Sequence, residues 1–143
     1  YSFSPVEEYT GKRLEDARIN ADLHRLFDWQ RKFAKVDITG TAKVDGEDAY
    51  VVVFQPEKGS RSTEYYSAAT YLLLKREGTV VSSTAGVELP YSIKFEDYRT
   101  IDGIKLPFRM IGENAGSGRS VTTITSVKHN EPIADKVFAA RKP

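Results

Sequence analysis

The stretch ELPYSIKFEDYRTIDGIKLPFRMIG, residues 88–112, decides the fold. Its apolar residues recur at every second position: Tyr91, Ile93 and Phe95, then Ile104, Leu106, Phe108 and Met110. Successive side chains of a strand point to opposite faces, so a period of two marks two strands, about Glu88 to Tyr98 and Ile104 to Gly112. They are joined through Ile101-Asp102-Gly103, and consecutive strands linked by a short turn pair antiparallel. Pro90 and Pro107 have no N–H to give a ladder, so each is expected at a bulge, a strand end or an edge.

The same alternation extends outward in both directions. Upstream, Lys35 to Val44 reads as a strand with a bulge at Gly40, and Asp45-Gly46 is a strong hairpin turn. Ala49 to Gln55 follows, apolar on both faces and therefore expected to be central. Strands are expected at about Ser62–Ser67 and Tyr71–Glu77, with Gly78 breaking or bulging the ladder before Thr79–Ser82 continues it. Ser83 to Gly86 reads as a loop. Downstream, Asn114 to Gly118 is a loop tip and Ser120 to Lys128 a Thr-rich last strand, after which Ile133 and Phe138 are expected to anchor the tail on the sheet. Ahead of Phe33 the period is 3.6 instead. Leu14, Ala17 and Ala21, with Ile19, Leu23 and Leu26 beside them, predict an amphipathic helix from Gly11 to about Phe27, with Thr10 at its N-cap. Asp28 begins a second short turn to about Phe33, which puts Trp29 and Phe33 four apart on one side.

The expected fold class is α+β and mainly β: an antiparallel meander of about eight strands preceded by a helix or helical hairpin. All 143 residues form one domain in this reading, with an arm at 1–10, a helical segment at 11–33, the sheet at 35–128 and a tail at 129–143.

Composition narrows the function. Apolar residues make up 40% and charged residues 29%, a globular balance, and no apolar run approaches the roughly 20 residues of a transmembrane helix. A net charge of +1 with alternating signs argues against a nucleic-acid partner, which calls for a concentrated basic face. With no cysteine, disulfides, thiolate chemistry and cysteine metal sites are absent.

No catalytic constellation emerges. His24 and His129 are the only histidines, and neither has a metal-type residue at ligand spacing. His24 lies four residues before Asp28, a pairing that reads as surface decoration without a nucleophile beside it. There is no Gly-x-Ser-x-Gly elbow. The carboxylates Asp45, Glu47 and Asp48, and the pair Glu96 and Asp97, read as turn and strand-edge solubility, because neighbouring strand residues cannot face one cleft together. Residues 114–118 lack the Lys and following helix of a phosphate loop. The chain is therefore read as not an enzyme, with no cofactor and no metal. The eight Tyr and seven Phe, many on strands, serve either as core or as the lining of an apolar concavity.

Residues 95–108, FEDYRTIDGIKLPF, resemble a signature of bacterial periplasmic proteins similar to the lipoprotein carrier LolA, the outer-membrane lipoprotein-sorting family. The hairpins at 36–52 and 65–76 and the tail at 127–138 agree with it, so the resemblance spans roughly residues 12 to 138 and covers the later, C-terminal portion of that fold. One departure is local: Ser67 and Tyr71 stand where related hairpins often carry Asp and Gly, so a different turn geometry is expected there.

The resemblance implies an open half-barrel with the helical segment packed on its concave face around an apolar concavity, which in lipoprotein carriers holds acyl chains. No functional residue of the family has a motif match here; the candidate ligand-binding residues are read from the inward apolar stripe between helices and strands, Leu23, Leu26, Trp29, Tyr91, Ile93, Phe95, Leu106 and Phe108. The function expected is non-catalytic binding of a lipid or lipoprotein acyl chain by a periplasmic or secreted envelope domain. The chain begins at Tyr1 with no signal peptide, so a removed leader or a longer parent protein is expected. The alternative is an accessory or docking domain of a larger periplasmic or membrane-associated complex, with no small ligand.

Overall fold

The computed structural model describes residues 8–22, 25–82 and 86–137. Helix α1 (Gly11–Ala21) and the single turn α2 (Trp29–Lys32) precede seven strands: β1 (Phe33–Val44), β2 (Glu47–Pro56), β3 (Ser62–Ser67), β4 (Leu73–Val81), β5 (Glu88–Ile101), β6 (Ile104–Asn114) and β7 (Gly118–Thr123). They form one antiparallel sheet in the order β1-β2-β3-β4-β5-β6-β7, with β1 and β7 as open edges rather than closed on each other.

Local chemistry accounts for the connections. Val44 pairs with Glu47 and Ile101 with Ile104, so Asp45-Gly46 and Asp102-Gly103 are two-residue hairpin loops. Both residues of each loop take positive φ (49° and 90°, then 49° and 82°), the twist that matches right-handed strands and that Asp-Gly accepts most readily. The ladder of β1 and β2 shifts between Ile38 and Gly40, which places the bulge where glycine predicts it. Pro90 lies outside the β5–β6 pairing and Pro107 outside the β6–β7 pairing. Each is therefore in register with one neighbouring strand only, although the Pro90 carbonyl also accepts from the Ala115 N–H just past β6, and neither disturbs the register.

The structure corrects several expectations. Gly78 neither breaks nor bulges β4, which runs unbroken to Val81 and makes the strand count seven rather than eight. Gly78 pairs with Tyr91, whose ring lies over it so closely that a Cβ there would come within 3.0–3.2 Å of ring atoms. The ring fills the place of the missing side chain. Helix α1 stops at Ala21 rather than near Phe27, because Asp22 turns extended (ψ 103°) and its carboxylate pairs with Lys32 of α2. Neither Thr10 nor Asp28 makes a side-chain capping bond. Strand β7 ends at Thr123 rather than Lys128. Ile133 is 61% exposed and does not anchor the tail, and its supposed companion Phe138 lies outside the described residues.

The turn after β3 is built differently from the Asp/Gly version. Ser67 is fully buried, and its Oγ accepts from the backbone N–H groups of Ala69 (3.2 Å) and Thr70 (3.0 Å). That is a hydroxyl doing the work of an Asp carboxylate. Tyr71 takes φ 60°, the left-handed conformation in which glycine is unstrained, and its ring stacks on that of Tyr50 at 6.5 Å.

The apolar core is small: Phe33, Val44, Ala49, Val53, Phe54 and Phe108 are the buried hydrophobics among the described residues. Phe33 and Phe54 pack ring on ring, their centroids 5.0 Å apart. The Tyr91–Gly78 contact gives a prediction whose sign is informative. Alanine in place of an interior strand glycine gains about 0.5–1 kcal/mol where space allows, whereas overpacking costs about 1–3 kcal/mol. Gly78→Ala is therefore destabilising in the wild type and neutral or stabilising in a Tyr91→Ala background, as read from urea midpoints. Equal effects in both backgrounds contradict the contact.

Candidate functional site

Pairing assigns one face of the sheet to the helices. Arg76, Gly78 and Val80 of β4 face the same way as their partners Ile93, Tyr91 and Leu89 of β5, and as Glu64 and Ser62 of β3. Gly112 and Asn114 of β6 and Ser120 of β7 continue that face. Helix α1 lies against it beside β4 and the β2–β3 loop, although α1 buries no residue of its own.

Polar ties hold the helical segment there. The Ser60 backbone N–H (2.5 Å) and hydroxyl (2.7 Å) donate to the Asp16 carboxylate, and Lys12 pairs with Glu88. The strongest tie is at Glu64, whose side chain is 0% exposed. Its Oε1 accepts from Arg25 Nη2 at 2.6 Å and from Arg76 Nε at 2.8 Å, and its Oε2 accepts from the Tyr66 hydroxyl. Arg25 and Arg76 are nearly buried with it, and their guanidiniums stand over the rings of Phe54 and Phe95, each 5.8 Å from the centroid. Burial, and the Glu64 charge beside it, push the Tyr66 phenol far up. Burial likewise raises Tyr91 and lifts Tyr98, whose hydroxyl donates to the Leu73 carbonyl at 2.6 Å, to about 12. On the opposite face a hydrogen bond to Glu77 (2.7 Å) lifts Tyr65 to about 12.

Between α1 and strands β4–β7 the helix-bearing face leaves a groove of about 440 Å³, in the range of small-molecule sites. Its walls include Asn20, Val80, Tyr91, Ile93, Gly112 and Ser120, with Arg76 at one end. A second concavity, about 670 Å³, runs past Glu77, Pro90, Glu113 and Arg119. Although larger, it carries charged walls and no aliphatic side chain beyond Pro90 and Ala115, so the smaller groove is the better apolar site.

The expected site residues divide. Tyr91 and Ile93 line the groove. Phe95 lies against the Arg76 guanidinium, and Phe108 is buried with the Arg99 guanidinium 4.4 Å above its ring. Leu106 pairs with Arg99, beyond the groove. Leu26 (43% exposed) and Trp29 (41% exposed) sit near the start of β1 and do not line the groove, and Leu23 and His24 fall outside the described residues. Of the expected set the groove thus takes in the strand residues Tyr91 and Ile93 and not Leu26 or Trp29, and sequence reasoning missed Glu64, Arg25 and Arg76 altogether. Only the pairing of Glu64 with Arg76 could have announced them. His129 bonds Asp102 at 2.9 Å, tying the tail to the β5–β6 turn. Among the described residues no three His, Asp or Glu side chains gather as a metal site, and no helix is long and apolar enough to cross a membrane.

No protein-family model matches the chain, and no curated protein matches it significantly. Solved structures do. A DUF1329 family protein from Desulfovibrio piger is similar over 73% of this chain and 45% of its own, at 20% identity and a TM-score of 0.50. A putative outer membrane lipoprotein-sorting protein domain from Vibrio parahaemolyticus matches over 69% of this chain and 45% of its own (20% identity, TM-score 0.49). The LolA superfamily protein NE2245 from Nitrosomonas europaea matches over 74% and 49% (19% identity, TM-score 0.48). The chain spans about half the length of these structures. What is shared with the Desulfovibrio piger structure is the fold of the matched part, which in this chain is an open antiparallel sheet.

Two predictions follow from the geometry. Glu64→Ala leaves two nearly buried guanidiniums without their carboxylate, and breaking a buried ion pair costs about 3–5 kcal/mol. Urea denaturation is expected to show a loss of that size, and an unchanged midpoint contradicts the buried cluster. Tyr98 also gives a pH dependence. A tyrosine ionising near 10 in the unfolded chain and about 12 in the folded one keeps its proton longer when folded. Its contribution is full below pH 10 and is lost as pH rises toward 12. Stability is expected to fall across that window, and less steeply in Tyr98→Phe. Identical slopes for the two proteins contradict it.

Proposed function

We propose that this chain is a non-catalytic envelope module that binds an apolar ligand, a lipid or a lipoprotein acyl chain, in the groove between α1 and β4–β7. The observation that carries the reading is the groove itself. It is a concavity on the helix-bearing face with Tyr91, Ile93 and Val80 in its walls, left unfilled because polar ties rather than apolar packing hold the helix against the sheet. The motif resemblance and the shared fold support it, since the Vibrio parahaemolyticus relative is described as a putative lipoprotein-sorting domain. A periplasmic or secreted setting goes with the same reading. Tyr91 and Ile93 form the apolar wall in this proposal, and Phe95 and Phe108 back it from within the sheet.

Native mass spectrometry of the purified chain tests this together with thermal melting in a dilution series of fatty acid. Lipid adducts and a rising melting temperature are expected, because ligand at a hundred times its Kd adds about 2.7 kcal/mol of stability. A chain that carries no lipid and melts at the same temperature throughout is not a lipid binder.

One observation favours a second reading, docking within a larger envelope complex. Leu26, Phe27 and Trp29 are exposed on α2 and its flank, and Ile38 is exposed on the edge strand β1, while Tyr50 of β2 and Tyr71 of the β3–β4 turn are exposed and stacked on each other. Exposed apolar side chains on and near an open edge strand suit a protein contact. Under this reading Phe27→Asp and Ile38→Asp abolish co-purification of a partner and leave lipid adducts unchanged.

A further inference from the structure

We infer that the groove is an anion-selective amphiphile site, in which Arg76 takes the carboxylate of a single-chain fatty acid while Val80, Tyr91 and Ile93 take the chain. This rests on the lipid-binding reading and specifies its ligand. The argument begins with the two edges of the Arg76 guanidinium. The Nε edge is committed, donating to Glu64 Oε1 at 2.8 Å. Among the described residues the two Nη atoms have no hydrogen-bond partner, yet the side chain is only 19% exposed and stands at the end of the groove. The Phe95 ring on one side and Glu64 on the other fix the guanidinium in place. A positioned guanidinium with a free fork is shaped for a bidentate carboxylate, and such charge-assisted pairs are about twice as strong as neutral hydrogen bonds.

Local charge points the same way. Glu64 is one carboxylate shared by two guanidiniums, so it alone does not neutralise both Arg25 and Arg76. Asp16 is the other acid nearby. It accepts from Ser60 and lines, with Arg25 and Arg76, an adjoining void of about 40 Å³ that shares Asn20, Arg76, Val80 and Tyr91 with the groove. Glu113 reaches the groove from the opposite side of β6 and has Arg119 as its cross-strand partner. The remaining polar side chains of the groove are Asn20, Ser92, Asn114, Ser117 and Ser120, with Tyr91 in its apolar wall, and all are neutral. Size then selects among lipids. About 440 Å³ lies near the lower bound of small-molecule sites, which suits one chain rather than several. Gly112 lies in the same cross-strand row as Arg76 and Ile93, with the Ser120 hydroxyl over it, so that part of the wall is small and polar.

The test uses the wild-type chain and three probes of one chain length: dodecanoate, dodecanol and dodecyltrimethylammonium, titrated by isothermal calorimetry at two ionic strengths. Dodecanoate is expected to bind at least tenfold more tightly than dodecanol and to weaken with salt, with the cation weakest. Equal affinity for all three, insensitive to salt, overturns the anion site and leaves an apolar groove standing. No binding by any probe overturns the groove reading as well. Arg76→Gln supplies a second measurement, with circular dichroism checking its fold. If it remains folded, it is expected to lose the preference for dodecanoate and retain dodecanol binding, and a preserved preference contradicts the role of Arg76.

Discussion

The structure depends on one buried carboxylate. Glu64 sits in the middle of the sheet with no exposed side-chain surface, and everything around it is arranged to satisfy it. Removing a charge from water costs several kcal/mol per ion, and attraction between close charges at an effective dielectric near 20 returns about 4 kcal/mol per pair. The cluster therefore contributes little net stability, and its effect is on specificity. Glu64 meets Arg76 only in one register of β3 against β4, and a slip of one residue would turn it to the other face. The irregularity between Tyr65 and Tyr66 is where that ladder adjusts, beyond the Glu64 pair. Arg25 reaches the same oxygen from the helical segment, so the cluster also sets where that segment lies.

That arrangement explains why the groove exists. A helix held by apolar packing would close against the sheet and fill the space over Tyr91 and Ile93. Here α1 buries none of its residues and is held by Asp16–Ser60 and Lys12–Glu88, with Arg25–Glu64 just beyond it. The Tyr91 ring lies down on Gly78 instead of standing up into the space. The groove left over Tyr91 and Ile93 has one polar end, at Arg76.

The meander was legible in the residues because its determinants are local. Period-two alternation, two Asp-Gly turns and a bulging Gly40 each act within a few positions, and β3 runs over the span its pattern predicts. Errors arose where a distant contact decides. Gly78 reads as a breaker until Tyr91 is known to cover it, and the helical stripe beyond Ala21 reads as helix until Asp22 pairs with Lys32. Tyr71 could be flagged as a departure, but only the structure shows it adopting the left-handed turn. The candidate site was the least legible part. Tyr91 and Ile93 follow from alternation, whereas a buried Glu64 between Arg25 and Arg76 joins residues 39 and 12 positions apart whose types alone suggest ordinary surface.

The central claim, that the groove between α1 and β4–β7 is where an amphiphile binds, is tested most directly by a ¹⁵N–¹H NMR titration of the labelled chain with dodecanoate. The account predicts shifts concentrated at the amides of Asn20, Arg76, Val80, Tyr91, Ile93 and Ser120, with the opposite face at Tyr65 and Lys94 unmoved. Shifts confined to Leu26–Trp29 and the Tyr50–Tyr71 pair, with the groove silent, would contradict it.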